Sequence, residues 1–221
     1  MKLLSSIGFN GLLLGGFAIL TAAALATVNQ LTLEPIAKAE QAAAQKALLE
    51  ILPATTHDND LLNDTLAIKV QWQKQLHTDA NATIYRARMN EQINAVIIPT
   101  VAPDGYSGKI KMIVGINKDH SIAGVRVIKH TETPGLGDKV ELKKSNWILS
   151  FNQKSLSRPM PEKWQVKKDG GEFDQFTGAT ITPRAAVKQI KKTLAFAQEN
   201  HNSLFDINST ERQPEEPQVQ P

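Results

Sequence analysis

Phe176-Thr177-Gly178-Ala179-Thr180-Ile181-Thr182-Pro183 is the stretch from which the rest of the chain is best read. Thr182-Pro183 predicts a helix start, with Thr182 as the N-cap and Pro183 at the first helical position. Arg184 to Gln198 follows as the helix, with Ala186, Ile190, Leu194 and Ala197 at helical spacing. A loop of small residues carrying three hydroxyls, Thr177, Thr180 and Thr182, thus feeds a helix N-terminus. The first N–H groups of a helix have no intrahelical acceptor, and its dipole is positive there, so such a junction suits a phosphate. On physical grounds alone, most capped loop-helix junctions bind nothing.

The chain has 221 residues, a net charge of +3 and no cysteine. That length suits one globular domain with appendages. Without cysteine the chain forms no disulfide and holds neither thiolate-bound zinc nor an iron–sulfur cluster. The 31 residues from Leu3 to Leu33 carry no charge, and a bilayer span needs about 20 apolar residues. The expectation is a retained transmembrane helix from about Ile7 to Val28. A cleaved signal peptide is the alternative, because Ala22-Ala23-Ala24 and Ala24-Leu25-Ala26 resemble cleavage sites. Lys2 and the amino terminus precede the apolar run, which puts the N-terminus in the cytoplasm and the remainder outside.

Leu31 to Leu52 predicts an amphipathic helix, with Ile36, Ala39, Ala43, Ala47 and Ile51 on one side, Pro35 in its first turn and Pro53 ending it. His57 to Asp64 is a polar turn that lacks the glycine and distal glutamate of a calcium loop. Leu66–Val70 and Ala95–Ile98 are strand-like. The clearest β signal is a hairpin. Ile110, Met112, Val114 and Ile116 alternate on one face, Asn117 to His120 turns, and Ser121 to His130 returns with Gly124 as a candidate bulge. Lys139 to Phe151 predicts a helix and Trp164 to Lys167 a short strand. The sequence after Asn208 has no apolar pattern and reads as disordered. These elements predict an α+β fold: an N-terminal transmembrane helix, then an antiparallel sheet flanked by helices.

Thr131-Glu132-Thr133-Pro134-Gly135-Leu136-Gly137-Asp138 follows the returning strand. Pro-Gly favours a type II turn with Gly135 at positive φ, and glycines let backbone approach a flat ligand. Alone, this is an ordinary tight turn. Paired with Thr-Gly-Ala-Thr-x-Thr some 40 residues later, it resembles the FMN-binding domain shared by the Rnf (Rsx) electron-transport complex and the sodium-pumping NADH:quinone reductase. Gly124-Val-Arg-Val127 and Lys167-Lys-Asp-Gly-Gly171 make the likeness closer to the G subunits of Rnf/Rsx.

The resemblance implies FMN esterified through its phosphate to Thr180, with Thr177, Gly178, Ala179 and Thr182 around the phosphate. It implies Glu132, Thr133, Pro134, Gly135 and Leu136 along the isoalloxazine ring, with Trp147 and Lys167 as further candidates. Trp147 at core spacing and Lys167 as a solvated lysine are the ordinary readings. His130 adjoins the turn and reads as structural, and Tyr106 reads as half-buried scaffold. The implied organisation is a cytoplasmic N-terminus (1–6), a transmembrane helix (7–28), a membrane-proximal helix (29–53), a periplasmic FMN-binding domain (54–208) and a disordered tail (209–221). The implied role is an electron relay in a bacterial inner-membrane complex that moves electrons between NADH and ferredoxin. The complex couples this to ion translocation or keeps a redox-sensing regulator reduced. The implied partners are the other subunits and a flavin transferase that uses FAD. The sequence offers no acid–base pair, nucleophile–histidine arrangement or metal spacing. The homologous FMN-bearing component of the quinone reductase, and an anchored binding module without cofactor, are the rival readings. Lys188, Lys191 and Lys192 read as a solvated helix face, not a nucleic-acid surface.

Overall fold

The computed structural model describes residues 2–79 and 81–206. The predicted disordered tail lies outside the described residues. The chain divides into two units, residues 1–43 and 44–221. The first is the greater part of helix α1 (Lys2–Ile51). Within it, Gly8–Ile36 is apolar and long enough to cross a membrane, and none of it is buried. Pro35, expected in the first turn of a second helix, instead lies inside one continuous helix. Apolar residues precede and follow it without a cap or glycine to end the first segment.

The second unit is built on an antiparallel meander, β1 (Thr65–Ala67), β2 (Thr83–Met89), β3 (Gln92–Ala102), β4 (Ile110–Asn117) and β5 (Ile122–Lys129), each strand pairing with the next. A helix not foreseen from the sequence, α2 (Val70–Leu76), joins β1 to β2. Period-2 alternation sorts the side chains to two faces. Ile110, Met112, Val114 and Ile116 face one core, as predicted, with Val96 and Ile98 of β3. That face is covered by α3 (Ile181–Glu199), α2 and α4 (His201–Phe205). The opposite face carries Ala87, Ala95, Ile97 and Ile113, covered by Ala47, Leu48, Ile51 and Leu52 at the end of α1. Only this end of the predicted amphipathic stripe is buried; Ile36 is exposed. Gly115 and Gly124 pair across β4 and β5 beneath Ile51. Of the two β4–β5 irregularities, at Lys111/Met112 and Gly115/Ile116, the second places the bulge next to Gly124, which is itself a paired residue.

Two predicted elements differ. Lys139 to Phe151 is not one helix but two 3₁₀ turns, Gly137–Val140 and Asn146–Phe151. The Ser145 hydroxyl caps the second, accepting from the Trp147 N–H at 3.2 Å. Tertiary packing overrides helical spacing here: Trp147, Phe151, Trp164, Phe173 and Phe176 form one aromatic cluster with neighbouring ring centroids 4.5–6.2 Å apart. Trp164 to Lys167 is not a strand. Only Val166 bridges, to Phe173, and 3₁₀ turns at Pro161–Lys163 and Lys167–Asp169 flank it. Gly170, at φ +84°, turns the chain back before a strand can extend.

Candidate functional site

Three segments converge at one end of the sheet: the β3–β4 loop (residues 103–109), the segment after β5 (130–138), and the approach to α3 (176–182). Each is shaped locally by its sequence. Thr133-Pro134-Gly135-Leu136 is the predicted tight turn. The Leu136 and Gly137 N–H groups both donate to the Thr133 carbonyl, at 3.1 and 3.0 Å, and Gly135 takes φ +78°. Phe176-Thr177-Gly178-Ala179 makes a second turn of the same kind, with Ala179 N–H donating to Phe176 C=O at 3.1 Å and Gly178 at φ +80°. The two turns touch: a Cβ placed on Gly178 would lie 3.4 Å from Leu136 Cδ2.

Helix α3 starts earlier than its sequence suggests. Thr180, not Thr182, occupies the N-cap position, and its carbonyl accepts from Arg184 N–H at 3.3 Å. Thr182 cannot cap, because its side chain is wholly buried and its hydroxyl donates to Oε2 of Glu132. Pro183 falls in the first turn, where its missing N–H leaves no bond unmade. What Thr182 can offer a phosphate is its backbone N–H. The Thr180 hydroxyl is partly exposed and has no hydrogen-bond partner among the described residues; the same holds for the more exposed Thr177.

Glu132 is only 4% exposed. Its second oxygen, Oε1, accepts the Ser107 N–H at 3.0 Å, while the Thr131 hydroxyl donates to Ser107 C=O at 2.8 Å. Gly137 packs against this arrangement, since a Cβ there would stand 2.9 Å from both Glu132 Cβ and Thr182 Oγ1. The Glu132 N–H donates to His130 Nδ1 at 3.0 Å. That leaves the His130 proton on Nε2, which donates to Glu141 Oε1 at 2.6 Å. His130 is therefore a structural bracket.

Trp147 is core: its Nε1–H donates to Asp174 C=O at 2.7 Å, and its edge packs on Phe176 at the base of the second turn. Lys167 is exposed and paired with Asp174 at 2.6 Å, and Arg184 is paired with Asp169 at 2.5 Å. Tyr106, expected to be half-buried, is 68% exposed, because Gly105 and Gly108 turn the loop outward on its Ser107 pin. With Leu136 and Ile181, it leaves apolar surface on all three converging segments. The sequence signal for this was an aromatic between two glycines. Asp138, beside Gly137, has a buried Oδ1 with no partner among the described residues.

These residues fit an FMN. Two left-handed glycines leave open backbone, helix α3 presents first-turn N–H groups, and exposed apolar side chains flank a free hydroxyl. A protein of the FMN-binding class is what such a fold and site define, and residues 105–195 match the FMN-binding domain family, a span that holds the second and third segments and the first from Gly105 onward. Residues 1–51 match the RnfG N-terminal region. Proteins named as the G subunit of the ion-translocating oxidoreductase complex are similar over nearly the full length. That of Shewanella amazonensis is 47% identical over 91% of this chain and 93% of its own. That of Pseudomonas aeruginosa is 46% identical over 89% and 91%, and that of Vibrio cholerae 42% over 92% and 96%. The chain belongs to the RnfG family, the G subunits of the ion-translocating oxidoreductase (Rnf) complex.

Proposed function

We propose that this chain is the flavin-bearing electron-relay subunit of an Rnf-type membrane complex, with FMN joined by a phosphoester to Thr180. The observation that carries the reading is the Thr180 side chain: a threonine hydroxyl with no partner among the described residues, at the N-terminus of a 19-residue helix, beside two turns with left-handed glycines. Thr182 is buried and engaged. Thr177 is accessible too, and the motif's resemblance to flavinylation sequences selects Thr180 over it.

Attachment is a substitution at phosphorus. The Thr180 oxygen bonds to the FMN phosphorus of FAD, the phosphoanhydride breaks, AMP leaves, and the hydroxyl proton passes to a base of a separate flavin transferase. The chain's own part is to present that oxygen. The Ile181 and Thr182 N–H groups and the positive end of the helix dipole would hold the phosphate. The 133–136 turn and the apolar surface of Tyr106, Leu136 and Ile181 would shield the ring from water. Bound FMN supplies one- and two-electron transfer, and the protein tunes it by what it places around the ring. Gly8–Ile36 crosses the membrane once, with Lys2 on the cytoplasmic side and the domain in the periplasm, where it meets the other subunits of the complex. Electron transfer through the complex is coupled there to ion translocation.

The test is intact mass and in-gel fluorescence of protein co-produced with a flavin transferase. Wild type gains one FMN less one water. Thr180→Ala gains nothing while remaining folded. Thr177→Ala keeps the adduct, since that hydroxyl offers at most a hydrogen bond, worth about 0.5–1.5 kcal/mol net or up to about 3 kcal/mol to a charged phosphate. An adduct on Thr180→Ala moves the attachment site elsewhere. A colourless wild type returns the chain to a binding module without covalent cofactor.

A further inference from the structure

The Thr182–Glu132–Ser107 arrangement joins three segments distant in sequence through one buried carboxylate. Oε2 takes the hydroxyl of Thr182 in the first turn of α3, and Oε1 takes the backbone N–H of Ser107 in the β3–β4 loop. Gly137 is the residue whose lack of a side chain lets these groups meet. No lysine or arginine is paired with Glu132 among the described residues, so its contacts are a clasp, not an ion pair.

We propose that Glu132 is a positioning residue for covalent flavin attachment: by fixing Thr182 it sets the first turn of α3, and thereby the Thr180 oxygen two residues before it, against the Gly135 turn. This rests on Thr180 being the attachment site. Neither the Glu132 nor the Thr182 side chain need touch the flavin for it. Their side chains are buried and mutually bonded, whereas Thr180 and Leu136 are accessible. A transferase must bring the Thr180 oxygen in line with a phosphorus atom, and such alignment is sensitive to shifts of about 1 Å. The clasp also consumes the Thr182 hydroxyl, leaving the motif one fewer competing nucleophile.

The clasp needs a hydrogen bond at this point, not a charge. Glu132→Gln preserves it, because the amide oxygen accepts from Ser107 N–H and the amide NH₂ donates to the Thr182 oxygen. Thr182→Ser preserves it, and Thr182→Val breaks it with little change of shape. The experiment is single-turnover attachment on the purified, full-length, unmodified chain, with flavin transferase, magnesium and FAD, followed by intact mass. Folding of each variant is checked by circular dichroism and a cooperative thermal transition.

Thr182→Val is expected to slow attachment about tenfold or more, with the KM for FAD unchanged, since FAD binds the transferase. Glu132→Gln and Thr182→Ser are expected to stay within about threefold of wild type. Attachment to folded Thr182→Val at the wild-type rate overturns the proposal, as does loss of attachment in folded Glu132→Gln. If Thr182→Val does not fold, amide exchange on the wild type decides. Ser107 lies on an exposed loop, so slow exchange of its amide supports the clasp and loop-like exchange overturns it. If wild type takes no FMN at all, the attachment reading fails instead, and Ser107 exchange still reports whether the clasp exists.

Discussion

Replacing Gly135 separates a cost the protein bears alone from one imposed by the flavin. Gly135 sits at φ +78°, and a Cβ added there meets nothing within 4 Å. Gly135→Ala in the unmodified protein therefore creates no clash, and its cost is the backbone one. An L-residue in the left-handed region pays about 1–2 kcal/mol. In a unit spanning residues 44–221, each kcal/mol lowers Tm by about 2–4 °C, so a fall of about 2–8 °C is expected. Gly135→Val keeps the same clear Cβ position and adds restriction at χ1. If the turn faces the isoalloxazine ring, the FMN-linked form suffers more. The added side chain occupies space the ring needs, the Tm fall exceeds that of the unmodified form, and Val exceeds Ala. The assay is a four-way cycle: wild type and variant, each made with and without flavin transferase, compared by thermal unfolding, flavin absorbance and midpoint potential. Equal Tm losses in both forms, with an unchanged flavin spectrum and potential, would refute the placement of this turn against the ring and leave it a scaffold turn.

Other perturbations test the frame that holds the site. Asp64 accepts from Arg86, at 2.7 Å, and from Arg88, joining the polar turn before β1 to strand β2. Burial raises its carboxyl pKa, and the Arg88 and Arg86 guanidinium groups more than reverse this, holding it below the usual carboxylate range. Its contribution is present above the unfolded pKa of about 3.9 and is lost as pH falls through the lower folded value. Asp64→Asn should thus destabilise by about 1–3 kcal/mol near neutral pH, and the gap to wild type should close in acid; chemical denaturation at pH 7 and pH 3 checks it. At the β4–β5 turn, burial and the neighbouring His201 ring, 4.9 Å away between centroids, push the His120 pKa down, while Asp119 opposes them. A histidine depressed in the folded state adds stability above its unfolded pKa of about 6.5, lost as pH falls. His120→Asn, which tolerates the positive φ of 64°, should flatten the decline in Tm between pH 7.5 and 5.5; an unaltered slope assigns it to other groups. Terminal sequencing of the membrane-extracted protein should find an uncleaved N-terminus, and a start at Leu25 or Thr27 would show signal cleavage instead.

Short-range physics made part of this protein legible in its sequence. The uncharged run from Leu3 to Leu33, the alternation of Ile110, Met112, Val114 and Ile116, the Pro134-Gly135 turn and the body of α3 are each fixed by residues within a few positions of one another. Hydrophobic period, turn chemistry and capping act at that range. The Thr-Gly-Ala-Thr motif that marks the candidate site is likewise local, four consecutive residues. What the tertiary structure decided was where distant residues compete for the same groups. Lys139 to Phe151 has helical spacing, yet the aromatic cluster around Trp147 and Phe173 drew it into separate 3₁₀ turns. Thr182 has every local mark of an N-cap. A carboxylate 50 residues earlier takes its hydroxyl, so the helix starts at Ile181 and Thr180 stands at its mouth. No pattern around Thr182 contains Glu132. A buried acceptor must be satisfied by whichever donor the fold brings to it, and only the closed structure determines which donor that is.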